Sequence, residues 1–325
     1  MTIPAPPYDA ELAAALPEIA TRMPPTILPA DIPAMRARPL PFDLDELLAR
    51  HGVDHAERRV QAPDGAELTL SVFTPRAGGE DPAGRPGIFY LHGGGMIFGE
   101  RFSGLPTVLP WLTELGAIGM SLEYRLAPEH PDPVPVEDCY AGLRWAVAHA
   151  GELGFDPARL VIAGISAGGG LAAGTALLAR DRGGPPLCAQ LLICPMLDDR
   201  NESISSRQFQ GVGVWDRISN DTGWDALLGE RRGTDAVSAY AAPARATDLG
   251  GLPPAFIDVG SAEVFRDEDV AYASRIWAAG GEAELHVWQG GFHGFDGNVP
   301  EARVSVAARE TRTQWLRRRL GAPPQ

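Results

Sequence analysis

Apolar positions change their spacing about fifty residues into the chain. Up to His51, segments such as AELAAALPEIA (10–20) and FDLDELLAR (42–50) read as helix among many Pro and Ala, with no strand pattern. After it come short β-branched and apolar runs, each bounded by Gly, Pro or Asp: ELTLSVFTP (67–75), GIFYL (87–91), AIGMSLEYR (117–125), RLVIAGIS (159–166), AQLLICPML (189–197), PAFIDVG (254–260) and AELHVWQG (283–290). Such runs predict strands. Between several of them lie helical stretches (135–154, 166–183 and 266–281), each ending at a glycine suited to a helix C-terminus. Strand alternating with helix predicts an α/β protein with a largely parallel sheet covered on both faces. One interval breaks the rhythm: roughly 55 residues separate CPMLDD from PAFIDVG, far more than a crossover needs. An insertion of that length reads as a lid, and its Phe209, Trp215 and Trp224 are candidate pocket residues alongside the bland reading that they form the lid's own core.

Composition narrows the classes. The 325 residues suit one large α/β domain with insertions or two ordinary ones. No apolar run approaches the ~20 residues of a spanning helix, so no membrane span is expected. A net charge of −14 opposes a phosphate backbone, so no nucleic-acid partner is expected. The one dense basic run, Arg317 to Arg319, sits where it complements the dipole of a C-terminal helix. The N-terminus lacks a basic region followed by an apolar stretch, which makes a cytoplasmic location the expectation. Cys139, Cys188 and Cys194 form no CxxC pair and read as core thiols. The seven histidines include no HExxH, so no metal is expected.

The chemistry is concentrated in three places. Gly164-Ile165-Ser166-Ala167-Gly168 ends a predicted strand and opens a predicted helix, the context of a G-x-S-x-G nucleophile elbow. The sharp turn strains the serine backbone and leaves no room for side chains beside it. His92-Gly93-Gly94-Gly95 follows the strand GIFYL. A loop without side chains lets the amides of Gly93, Gly94 and Gly95, with that of Ala167, approach a developing oxyanion. Met96 and Phe98 follow and are further pocket candidates. A serine hydroxyl is a weak nucleophile and needs a neutral imidazole to take its proton. His293, in the glycine-rich turn QGGFHGF beyond the last strand, fits that role; His286 lies within the strand. For the acid that orients the imidazole, Glu263, Asp267 and Glu268 all follow PAFIDVG. Glu263 stands in the loop just off the strand, whereas the other two fall where a helix begins and ordinarily act as caps.

Together HGGG at 92–95, YRLAPEHP from Tyr124, GISAGG from Gly164 and HGF at His293 resemble the bacterial hormone-sensitive-lipase-like esterases over essentially the whole chain after the N-terminal part. The resemblance implies the α/β-hydrolase fold, with a mostly parallel sheet of about eight strands and a helical cap. It divides the chain into an N-terminal part of the cap (1–55), a first part of the core (56–198), a cap insertion (199–235) and a second part of the core (236–325). It also implies cofactor-free hydrolysis of small-molecule esters with short to medium acyl groups. The family's acid loop usually reads D-P-L-R-D-E; here Glu263-Val264-Phe265-Arg266-Asp267-Glu268 lies on it, so glutamate replaces the usual aspartate. Glu123, where Asp is common, and Asp132, where Phe is common, are further departures. Lactone or amide hydrolysis would use the same residues, and a receptor-like binding module would keep the fold without the chemistry. A homodimer through the C-terminal helix or an edge strand, as in such relatives, is an expectation that nothing in the residues demands.

Overall fold

The continuous apolar runs form the middle of a sheet and the mixed runs its margins. The computed structural model describes residues 3–77 and 84–321. Its N-terminal part holds three helices, α1 (Ala10–Arg22), α2 (Ile32–Arg36) and α3 (Leu44–His51), followed by the antiparallel strands β1 (Val53–Gln61) and β2 (Glu67–Pro75). Alternation then begins: β3 (Gly87–Leu91), α4 (Leu105–Leu115), β4 (Ile118–Leu122), α5 (Val134–Ala148), α6 (Ala150–Leu153), β5 (Leu160–Ile165), α7 (Ala167–Asp181) and β6 (Ala189–Ile193). The long interval contributes α8 (Ile204–Gln208) and α9 (Arg217–Leu228). The chain closes with β7 (Ala255–Gly260), α10 (Arg266–Ala278), β8 (Ala283–Trp288), α11 (Phe295–Asn298) and α12 (Arg303–Arg319).

The eight strands form one sheet in the order β1-β2-β4-β3-β5-β6-β7-β8, parallel from β4 onward. In β3, β5, β6 and β7 nearly every residue is buried, as expected of strands covered on both faces. Helix α7 packs on β3, β5 and β6, and α10 on β7 and β8. Strand β1 lies outside the predicted set because VDHAERRVQ has few apolar positions. It is an edge strand whose Val53 and Val60 turn inward while its charged side chains face solvent. It begins at Val53, so the sheet starts slightly before the expected boundary at 56.

The segments flanking α1 pack on the insertion. Thr26 Oγ1 donates to Asp216 Oδ2 at 2.8 Å, Ile27 N–H donates to Ser219 Oγ at 2.8 Å, and the Tyr8 ring lies 6.2 Å from that of Phe209. Asp216 also caps α9 by accepting from Ser219 N–H. Among the described residues no helix is long and apolar enough to cross a membrane.

At the other end, α12 is fastened to the sheet by charge. The Arg312 guanidinium, wholly buried, donates to Asp258 Oδ2 on β7 at 2.8 Å and to Asp296 on α11. Trp288 Nε1 donates to the same Asp258 oxygen at 2.9 Å. Removing one member of such a group leaves uncompensated buried charge. Replacing Arg312 by Met is therefore expected to cost about 3–5 kcal/mol of stability, read as a lower urea midpoint at unchanged slope. A loss under about 1 kcal/mol would mean that the two carboxylates take up protons at little cost.

Candidate active site

Ser166 sits between β5 and α7 with φ 58° and ψ −123°, a conformation unfavourable for a residue with a side chain. The surroundings hold it there. Its N–H donates to Ile193 O at 2.8 Å, and its carbonyl accepts from Gly170 N and Met196 N, both at 3.0 Å. The flanking glycines are required by close approach: a Cβ on Gly164 would lie 2.1 Å from Gly168 O, and one on Gly168 2.1 Å from Leu91 O. The serine makes no side-chain cap bond to its own helix, which leaves Oγ free for another partner.

That partner is His293, in the loop between β8 and α11, whose Nε2 lies 2.9 Å from Ser166 Oγ. Its other nitrogen, Nδ1, lies 2.5 Å from Glu263 Oε2. A carboxylate can only accept, so Nδ1 carries the proton and Nε2 presents a lone pair to the hydroxyl. Glu263 is itself fixed, because its Oε1 accepts from Gly260 N–H at 3.0 Å. The Phe265 ring meets the imidazole edge-on at 5.1 Å. Ser166, Glu263 and His293 are all buried. Such an array can move a proton from a hydroxyl to an imidazole and hold the resulting imidazolium against a carboxylate.

The other carboxylates of the loop are engaged elsewhere. Asp267 accepts from Ser205 N–H at 2.8 Å and Glu268 from Leu197 N–H at 2.7 Å, so both tie α10 to the segment after β6. His286 lies in β8 beside Glu284, 3.0 Å away.

The HGGG loop lies against the serine: a Cβ on Gly93 would be 3.3 Å from Ser166 Cβ. Among the described residues the amides of Gly93, Gly94, Gly95 and Ala167 donate to no backbone group. The loop is shaped from behind by His92, which is fully buried and stacked on Tyr124 at 4.2 Å. His92 Nδ1–H donates to Gly93 O at 2.8 Å, and Tyr124 O–H donates to His92 O at 2.7 Å. Burial pushes the His92 pKa down, which keeps the ring neutral in this support role.

A cavity of about 380 Å³ opens over Ser166 and His293, with a second of about 620 Å³ beside it. Phe98 and Trp215 line the first. Met96, Phe209 and Trp224 do not, a correction with a packing reason. Met96 is buried in the core with its carbonyl accepting from Ala127 N–H, Phe209 packs on Tyr8, and Trp224 is wholly buried in the main hydrophobic core that the insertion shares with the sheet.

Several site residues escaped the sequence reading. Met23, Leu40, Pro41 and Phe42 of the N-terminal part, and Val214 of the insertion, complete the apolar wall. Arg36 of α2 braces the loop beyond HGGG, donating to Ile97 O and Ala127 O at 2.7 Å each and pairing with Glu129. The two departures also acquire partners. Glu123 accepts from Arg101 Nη1 at 2.8 Å, and Asp132 from Arg231 Nη1 at 2.9 Å.

With the geometry in place, comparison with known proteins places the chain. Residues 88–297 match the family described as α/β hydrolase fold. Esterase LipI of Mycobacterium tuberculosis is 37% identical over 81% of this chain and 82% of its own length. Carboxylesterase NlhH of the same organism is 39% identical over 80% of each. Among solved structures, a bacterial heroin esterase superposes with a TM-score of 0.86 at 40% identity, covering 96% of this chain and 98% of that one. The chain belongs to the α/β-hydrolase fold family, among its bacterial hormone-sensitive-lipase-like members, and is a carboxylic ester hydrolase.

Proposed function

We propose that the chain hydrolyses small-molecule esters of short to medium acyl length through an acyl-enzyme on Ser166. His293 Nε2 takes the hydroxyl proton as Oγ attacks the ester carbonyl and returns it to the departing alcohol. The same nitrogen then activates water against the acyl-enzyme. Glu263 keeps Nδ1 protonated and stabilises the imidazolium. The amides of Gly93, Gly94, Gly95 and Ala167 receive the alkoxide of each tetrahedral intermediate, helped by the positive end of α7.

The observation that carries this reading is the continuous hydrogen-bond chain from Ser166 Oγ through His293 to Glu263 Oε2, with links of 2.9 and 2.5 Å. A receptor-like module has no need of such a chain. The wall supports the substrate class: a cavity of about 380 Å³, largely apolar and lined by Trp215 and Phe98, suits a small acyl group and leaves the larger neighbouring space for the rest of the ester.

Rates of p-nitrophenyl acetate and butyrate hydrolysis test the assignment. Ser166→Ala is expected to lose about 10⁴-fold or more in kcat, and Glu263→Gln about 10³–10⁴-fold through the wrong tautomer. Asp267→Asn should stay within about 10-fold, since its carboxylate holds Ser205 rather than the histidine. A crippled Asp267→Asn beside a healthy Glu263→Gln would move the acid to Asp267.

A second outcome follows from the loop. Gly95 has φ 60°, and a Cβ there would lie 2.2 Å from the Trp215 ring. Gly95→Ala should displace the loop and lower kcat about 10²–10³-fold, the scale of a lost oxyanion donor. The check pairs the rate with thermal unfolding: a full rate in a folded variant would remove Gly95 from the oxyanion hole.

A further inference from the structure

Beside Glu263 lies an enclosed hollow too tight for a water molecule. Its lining includes Cys194, Asp258, Glu263, Asp296 and Arg312. Three carboxylates and a single guanidinium line it, the guanidinium bonded to Asp258 and Asp296, and all four groups are at most 2% exposed. The charges do not balance, and Asp258 Oδ1 is buried with no hydrogen-bond partner. At the edge of the hollow, one ligand atom each from Cys194, Glu263 and His293 lie within 4.8 Å of one another. Thiol, carboxylate and imidazole together are the donors of a borderline to soft divalent cation, and excess buried negative charge favours one.

We propose that Cys194, Glu263 and His293 form an inhibitory site for a thiophilic divalent cation of the zinc and cadmium class. Nδ1 is the imidazole nitrogen that faces Glu263, so it is the nitrogen that ligates. The cation takes Cys194 as thiolate, releasing the thiol proton to solvent, and bonds to Glu263 oxygen and to Nδ1. The proton on Nδ1 moves to Nε2, so one proton leaves the protein for each ion bound. Nε2–H now points at Ser166 Oγ as a donor, and the imidazole cannot accept the serine proton. Inhibition thus arises from a reversed tautomer, with the substrate cavity left open.

No spacing motif marks this site, because its ligands come from the end of β6, the loop after β7 and the loop after β8. Its inhibitory effect rests on the proposed role of His293; the binding itself does not.

The test is a cadmium chloride titration of the chelator-treated, dialysed full-length protein, read by the ultraviolet thiolate-to-cadmium charge-transfer band. It is run on the parent, Cys194→Ala, Cys194→Ser and Cys188→Ala, with Cys188 as the more exposed control thiol. In parallel, p-nitrophenyl acetate hydrolysis is followed against cadmium, each protein relative to its own metal-free rate. A band at one ion per chain is expected in the parent and Cys188→Ala and absent in Cys194→Ala. The concentration for half-inhibition should rise at least about 10-fold on loss of the thiolate, and magnesium should do nothing. Cys194→Ser, which keeps the side-chain size, stands in if Cys194→Ala fails to fold. A band that follows Cys188, equal sensitivity without Cys194, or a Cys194-dependent band with an undiminished rate would each overturn the proposal. A parent inert to esters that still gives the Cys194 band would leave the metal site standing and remove the proposed hydrolytic mechanism instead.

Discussion

The backbone of Ser166 is the constraint around which the site is arranged. A left-handed serine is costly wherever it occurs, and here it is held by a bond to Ile193 O on one side and by bonds from Gly170 and Met196 on the other. Those partners belong to β6 and its exit and to α7, so the turn exists only once the β5–α7–β6 unit has assembled. The strain has a geometric return. It lifts Oγ out of the helix-capping position and points it toward the histidine, which the relaxed conformation of an N-cap serine would not do.

From that fixed point the rest is convergence at the ends of parallel strands. The HGGG loop leaves β3, Ser166 leaves β5, Glu263 follows β7 and His293 follows β8. Neighbours in a parallel sheet end on the same side, so four loops distant in sequence meet without any long arm. The apolar wall comes from elsewhere: the connection between α2 and α3 supplies Leu40 and Phe42, and the insertion, ahead of α9, supplies Val214 and Trp215. In the proposed mechanism the reacting groups stand on loops at the sheet's edge, while the cavity wall comes from connections in the N-terminal part and the insertion.

What the sequence made legible follows from the range of the interactions involved. Buried parallel strands announce themselves locally as apolar runs, and the elbow, glycine loop and histidine turn each carry their geometry in three to five adjacent residues. The edge strand β1 hides because solvent permits charges on its outer face. Arg36 reads as a surface charge of a helical appendage until Glu129 and Ala127, ninety residues on, are placed beside it. The same holds for Arg312, whose Asp258 partner lies 54 positions away. The aromatics of the insertion were assignable to a lid but not to one side of it: Trp215 lines the cavity, while Trp224, with comparable chemistry, is buried in the main core.

Glutamate in place of aspartate in the acid loop illustrates how such a change is absorbed. The additional methylene gives Glu263 one more torsion to immobilise and a longer reach to the imidazole. Both demands are met within the loop itself. Gly260 N–H, three residues earlier, takes Oε1 and leaves Oε2 aimed at Nδ1, so the carboxylate is held at two points and cannot rotate away. Burial of the carboxylate then strengthens its interaction with an imidazolium, because little water remains to screen it. The length of the acid matters less than the number of fixed contacts its two oxygens make.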